Sequence, residues 1–177
     1  MPGIFCNYDE AIVKMISIQP MLSSHASEVL KIYQEGIDTG IATFETSLPD
    51  WPSFDAKHHI HSRLVVMEND KVKGWAVLTP VSIRECYSGV AEVSVYVRES
   101  ERGKGLGRML LQELIASSER NQMWSLLSVI DDQNATSIHL HQQCGFRLIG
   151  YRERIAQLNG KWRTTVMMER RSSVVGV

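Results

Sequence analysis

Val93-Ser94-Val95-Tyr96-Val97, then Arg102-Gly103-Lys104-Gly105-Leu106-Gly107-Arg108, then Met109-Leu110-Leu111-Gln112-Glu113-Leu114-Ile115 is the stretch on which the fold turns. The first run alternates at the period of a strand. The last carries Leu110, Leu111, Leu114 and Ile115 at helical spacing. Between them lies a glycine-rich turn, so the order is strand, turn, helix. Such a turn leaves backbone N–H groups free at one spot, and the helix N-terminus adds partial positive charge there. Arg102, Lys104 and Arg108 supply three basic side chains around it. Taken alone, the segment reads either as an ordinary strand–helix connection or as a cradle for a phosphorylated ligand.

Spacing separates this turn from two other phosphate binders. A P-loop needs a Gly four residues before a Gly-Lys-Ser/Thr triplet, and here Gly103-Lys104 runs into Gly105. A dinucleotide fingerprint needs G-x-G-x-x-G, and Arg108 stands where its third glycine belongs. What remains is R-x-x-G-x-G, as Arg102, Gly105 and Gly107. This resembles the pyrophosphate-binding turn of the GNAT acetyltransferase superfamily. A second segment, Asn134-Ala135-Thr136-Ser137-Ile138-His139-Leu140-His141 running to Cys144-Gly145-Phe146, resembles the part of that superfamily where Asn, a short helix and Gly-Phe lead into the last strands. The two segments stand in the superfamily's order, with room for a helix and a strand between them.

The bulk properties agree with an ordinary soluble globular protein. At 177 residues one domain is expected, able to bury about 70% of its unfolded surface. Apolar residues make up 44% and charged residues 22%, and the net charge is −1, which gives no nucleic-acid surface. Cys6, Cys86 and Cys144 are odd in number and contain no C-x-x-C pair, so reduced thiols in a cytoplasm are expected rather than disulfides or zinc. No apolar run is long enough to cross a membrane. Residues 1–14 carry Asp9 and Glu10 and do not read as a secretory signal. They are expected to be an extension before a domain over 15–171, with a tail over 172–177.

Along the chain, Met15 to Gln19 reads as a strand ended by Pro20. Ser23 or Ser24 can cap a helix to about Gly36, and a long Pro-punctuated connection follows through Pro52. A second helix is expected over Phe54–Arg63. Leu64–Glu68 and Lys73–Leu78 flank a hairpin turn at Asn69-Asp70-Lys71, and the next strand spans Tyr87–Val97. Helices at 107–122 and 134–143 alternate with a strand at 124–130. Strands at 147–157 and 161–170 turn at Asn159-Gly160, a type I′ pair. The order β-α-α-β-β-β-α-β-α-β-β is the GNAT order, an α/β fold with a mixed, twisted sheet and helices on both faces.

Within the superfamily, three segments resemble the phosphinothricin/methionine sulfoximine N-acetyltransferases. They are Ile41-Ala42-Thr43-Phe44-Glu45-Thr46 with Pro49 and Trp51, the strand Gly89-Val90-Ala91-Glu92-Val93-Ser94-Val95-Tyr96-Val97, and the hairpin Asn159-Gly160-Lys161-Trp162. The resemblance implies acetylation of the α-amino group of a small amino-acid analogue, acetyl-CoA as cosubstrate, no metal, and a homodimer. It implies cofactor contacts from Val95, Tyr96 and Val97, from Arg102, Gly103, Lys104, Gly105, Leu106, Gly107 and Arg108, and from Asn134 and Ser137. There are departures. Many relatives carry Tyr-Arg and then Thr-Val-Glu before the central strand, where this chain has Tyr87-Ser88 and Val90-Ala91-Glu92. That leaves Arg84 as the nearest cation for a substrate carboxylate or phosphinate. Some relatives carry an acid after the Lys-Trp pair, where Arg163-Thr164 stand here. Phe44, Glu45, Arg84, Glu85, Cys86, Tyr87 and Glu92 are the expected substrate residues.

The chemistry is attack of a neutral amine on a thioester, so a base is useful. Glu92 fits that role, or that of an ammonium anchor, provided it sits within about 3 Å or one water of the amine. The thioester oxygen gains charge, and backbone N–H groups near Val95 to Val97 are its natural donors. His141 stands where many GNAT enzymes have a tyrosine. It is either the proton donor to the leaving thiolate or a helix-surface contact to the pantetheine chain or Glu92. Asn134 caps the late helix, contacts the pantetheine chain, or does both. Phe44 is a pocket wall or a core residue. The cluster His58, His59 and His61 reads as a solvated helix face, and Cys144 as buried. Two rival readings stay open: a GNAT enzyme acting on a protein N-terminus, lysine or polyamine, and a non-enzymatic acyl-CoA-binding module.

Overall fold

The computed structural model describes residues 16–177; the expected extension over 1–14, with Cys6, lies outside the described residues. The chain runs β1 (Ile16–Pro20), α1 (Ala26–Asp38), α2 (Trp51–Lys57), β2 (Leu64–Glu68), β3 (Lys71–Pro80), β4 (Val90–Val97), α3 (Leu106–Arg120), β5 (Ser125–Asp131), α4 (Ala135–Gln143), β6 (Arg147–Leu158) and β7 (Lys161–Arg171). One seven-stranded sheet results, in the order β1-β2-β3-β4-β5-β7-β6. Every neighbouring pair is antiparallel except β4 with β5.

Both faces of the sheet are covered, which explains why β2 reads as a continuous apolar run rather than an alternation. Leu64 and Val66 point to the α3 side, among Leu110, Leu111, Leu114, Leu78, Ala91 and Phe146. Val65 and Met67 point to the other side, among Val29, Ile32, Tyr33, Phe54, Trp75 and Val77. Two hairpins close on Asn69-Asp70 and Asn159-Gly160, with φ of 50° and 60° and of 50° and 75°. Positive φ at both central residues is the type I′ turn whose twist matches the flanking strands.

Four expectations need correction. The second helix spans Trp51–Lys57, not 54–63: the Asp50 carboxylate accepts from the Ser53 N–H at 2.8 Å, and Pro52 sits in the first turn. It ends because His58 is extended (φ −107°, ψ 154°), and the Arg63 guanidinium takes the carbonyls of Asp55, His58 and His59. His58 and His61 therefore share no helix face, and His58 is half-buried against Phe54. The strand expected from Tyr87 starts at Val90, because Glu85–Tyr87 makes one 3-10 turn. Neither Ser23 nor Ser24 caps α1; a 3-10 turn precedes it, in which the Leu22 N–H donates to His25 Nδ1 at 3.1 Å. Pro20 does end β1, but as its last paired residue, opposite Leu64.

The feature that makes a site is the parallel pair. β4 and β5 pair only at Val90, Ala91 and Glu92, opposite Ser125, Leu126 and Leu127. Beyond Glu92 the strands part. The β5-facing edge of β4 from Val93 to Val97 then carries no ladder partner among the described residues.

Candidate active site

A cavity of about 1070 Å³ opens where β4 and β5 diverge. Its walls come from Glu92 to Val97 on β4, Ser128 to Asp131 on β5, the glycine turn, α4, and the connection from Thr39 to Glu45. That volume suits a large cosubstrate together with a small acceptor. The connection is held in shape by its own hydroxyls. Thr39 Oγ1 donates to the Gly36 carbonyl at 2.7 Å and accepts from Ala42 N–H at 3.2 Å, and Thr43 Oγ1 accepts from Glu45 N–H at 3.1 Å.

At one end lies the turn picked out from the sequence. Gly103 and Gly105 have φ of 78° and 83°, which L side chains rarely adopt, and α3 begins at Leu106. A Cβ at either glycine would meet nothing within 4 Å, so the turn faces open space. Among the described residues, the N–H groups of Gly103, Gly105, Leu106 and Gly107 take no protein acceptor. Gly107 is there for a different reason: a Cβ would sit 3.3 Å from Leu140 of α4. Arg102 and Arg108 line the cavity. Lys104 does not. Its ammonium lies 2.7 Å from Glu101, which also holds Lys73 at 2.9 Å, and the two cations bring the Glu101 carboxyl down to about 2. Free N–H groups, an open glycine surface and two guanidinium groups form a fitting seat for a pyrophosphate.

Glu92 stands at the fork, opposite Thr79 on β3 and Leu127 on β5. It is half-buried; burial pushes its carboxyl up, and the Lys57 charge pulls it partly back. Tyr96, two turns of the pleat further on, stacks on Trp75 at 4.5 Å and donates its hydroxyl to the Ala42 carbonyl at 3.2 Å. Burial pushes its phenol far above the usual range, so it stays neutral. Phe44 is 37% exposed and lines the cavity, so it is no core residue.

On α4, Asn134 Oδ1 accepts from the Ser137 N–H at 3.1 Å, a helix cap, while its Nδ2 donates to the Ile41 carbonyl at 3.4 Å. His141 is buried, at 4% exposure. Its Nδ1 lies 2.8 Å from the Ser137 carbonyl, and its ring meets Phe146 edge to face. A carbonyl only accepts, so Nδ1 carries the proton. Burial lowers the His141 pKa, against a smaller raising effect of that carbonyl. The neutral ring thus leaves Nε2 without a proton, and no protein group bonds it among the described residues.

Arg84, Glu85, Cys86 and Tyr87 are not brought to this cavity. They are exposed on the turn before β4, where the Arg84 guanidinium lies over the Tyr87 ring at 5.9 Å. Lys57, His58 and Asp131 do line it and were not picked out from the sequence. Lys57 ends α2, and His58, the first extended residue after it, turns back against Phe54. Asp131 carried no motif; it receives a bidentate contact from Arg163, with Nε and a terminal nitrogen each at 2.7 Å. Among the described residues no group of three His, Cys, Asp or Glu side chains could hold a metal ion.

Comparison with known proteins agrees with this geometry. The model of the acetyltransferase (GNAT) family matches residues 29–146. An L-methionine sulfoximine/L-methionine sulfone acetyltransferase of Pseudomonas paraeruginosa is 31% identical over 147 residues, covering 80% of this chain and 86% of the relative. A phosphinothricin N-acetyltransferase of Alcaligenes faecalis is 34% identical over 148 residues, covering 80% and 75%. A Salmonella typhimurium structure solved with its cofactor acetyl-CoA superposes with a TM-score of 0.82 at 25% identity, covering 89% of this chain and 94% of that one. With the forked strands and the glycine cradle in place, the chain belongs to the GNAT acetyltransferase family and is an acetyl-CoA-dependent N-acetyltransferase.

Proposed function

We propose that the protein acetylates the α-amino group of a small amino acid of the phosphinothricin, methionine sulfoximine or methionine sulfone type. The observation that carries this reading is the half-buried Glu92, at the strand fork between the pyrophosphate seat and the aromatic end of the cavity. The names of the relatives at 31% and 34% identity support the substrate class.

Acetyl-CoA supplies an acetyl group activated as a thioester. An α-ammonium group is mostly protonated at pH 7. Burial raises Glu92 toward the working pH, where a carboxylate makes a better base. It takes the proton directly or through one water. The freed nitrogen attacks the carbonyl carbon, the carbon–sulfur bond breaks with its electron pair on sulfur, and the second proton shed by the new amide nitrogen reaches the thiolate through solvent, leaving the amide and free CoA thiol. Charge gathering on the carbonyl oxygen faces the edge of β4 that has lost its β5 partner, where backbone N–H groups are available. His141 enters as an acceptor at Nε2, not as the proton donor to sulfur, because its one proton is engaged with the Ser137 carbonyl. A homodimer is supported by the exposed apolar side chains Leu148, Ile149 and Tyr151 on β6 and Trp162 on β7.

The test is turnover of Glu92→Gln with a methionine sulfone substrate. We expect kcat to fall about 100-fold or more, with the KM for acetyl-CoA little changed. Unchanged kcat removes Glu92 as the base.

A further inference from the structure

The cavity has two charged regions. Arg102 and Arg108 belong to the glycine turn, and Asp131 is engaged by Arg163. At the end that holds Glu92, the charged side chains lining the cavity are Glu45, from the connection after α1, and Lys57, the last residue of α2. His58 beside them is neutral, since burial takes it down to about 4. Arg84, the cation expected from the sequence, is not among the lining residues.

We propose that Lys57 is the residue that binds the substrate's α-carboxylate, and so selects amino acids over simple amines. The assignment rests on the reading of the substrate as a small amino acid. Three observations lead to it. Lys57 is the one Lys or Arg on the acceptor side of the cavity among the described residues. Its ammonium lies 3.2 Å from Glu45, and both side chains are about half exposed, at 55% and 49%. That pair is held at the cavity wall rather than buried in the fold. An exposed pair of this kind is weak and easily rearranged, and an ammonium carries three donors. Lys57 can therefore keep Glu45 and still take a carboxylate. Its charge also acts across the cavity on Glu92 and on Tyr33.

A zwitterion fits this arrangement. Its ammonium faces Glu92, its carboxylate faces Lys57, and its side chain lies toward Phe44. An amine without the carboxylate leaves Lys57 unused. A peptide N-terminus, whose carboxyl is an amide, offers it no negative charge.

The experiment compares wild type, Lys57→Met and Lys57→Arg on methionine sulfone and on its decarboxylated amine, with KM and kcat read separately. In Lys57→Met we expect the KM for methionine sulfone to rise about tenfold or more, the loss of one charge-assisted contact. We expect kcat and the KM for acetyl-CoA to stay within about threefold, no added loss on the amine, and recovery in Lys57→Arg. Equal losses on both compounds, or no loss on either, overturn the assignment. The two readings fail differently. Acetylation of methionine sulfone by Lys57→Met at wild-type KM removes Lys57 alone. A wild-type protein that acetylates amines or peptides but no free amino acid removes the substrate class and this assignment together.

Discussion

Glu92 and His141 were both legible as candidates, yet the structure treats them differently. A motif names a residue type at a position; the tautomer of a histidine depends on which atom faces it. Glu92 lies on the expected strand, and the structure puts it at the strand fork, with its pKa raised by burial. With Glu92 as the proposed base, active only when deprotonated, kcat/KM should fall as pH drops through a value above the ordinary Glu range, about 4.3. Glu92→Gln should abolish that limb along with most of kcat. An acid limb unchanged in the variant assigns it to another group. His141 is held neutral with its proton on Nδ1. We expect no fall in kcat from pH 7 to 9 of the kind a titrating acid would give. A descending limb near pH 7 that disappears in His141→Gln would restore the donor role. Lys57 shows where sequence reading stopped: nothing in its neighbourhood marks it, and only the end of α2 carries it to the cavity.

At the scale of elements, periodicity gave the strands and helices in the right order, and the errors sit where a side chain ends a helix. Arg63 terminates α2 by capturing three carbonyls from four to eight residues away in number, which no local pattern announces. The late start of β4 follows from the 3-10 turn over Glu85–Tyr87. Gly89 seats against the Trp124 ring, so close that a Cβ would stand 2.0 Å from it. Two predictions belong here. Gly105→Glu places a long, negative side chain at φ 83° in the open cradle; acetyl-CoA binding by calorimetry should be lost, and normal affinity would sink the pyrophosphate assignment. The Asp131–Arg163 pair ties β7 to the end of β5 with side chains only 5% and 12% exposed. Arg163→Met leaves the buried Asp131 carboxylate without its cation and with only the Gln133 N–H at 2.9 Å, at roughly 3–5 kcal/mol. A thermal melt should fall by roughly 6–20 °C for a chain of this size. A melt within about a degree of wild type would show that water solvates Asp131 instead.

Across the whole molecule, two segments, the glycine turn and the Asn134 helix, were enough to identify the fold by resemblance, and they flank the parallel pair β4–β5, the one such pair among the described residues. The opening beyond that pair was not legible, since a strand's apolar pattern does not say where its neighbour leaves it. The burial of these histidines, partial for His58, His59 and His61 and full for His141, was not legible either, and it weakens the fold in acid. Burial lowers His58 from 6.5 to about 4, and lowers His59, His61 and His141 as well. The unfolded chain binds protons that the folded one refuses, so stability rises with pH through this window. It is therefore lost as pH falls from about 6.5 toward 4. Denaturant melts at pH 7 and pH 5 check this; equal stability at both contradicts it. The account as a whole stands on the acceptor. Release of free CoA thiol from acetyl-CoA, measured against phosphinothricin, methionine sulfoximine, methionine sulfone, a polyamine and a lysine peptide, decides it most directly. Saturable turnover on the amino-acid analogues and not on the polyamine or peptide is the predicted result. Turnover on the polyamine or peptide alone would contradict it.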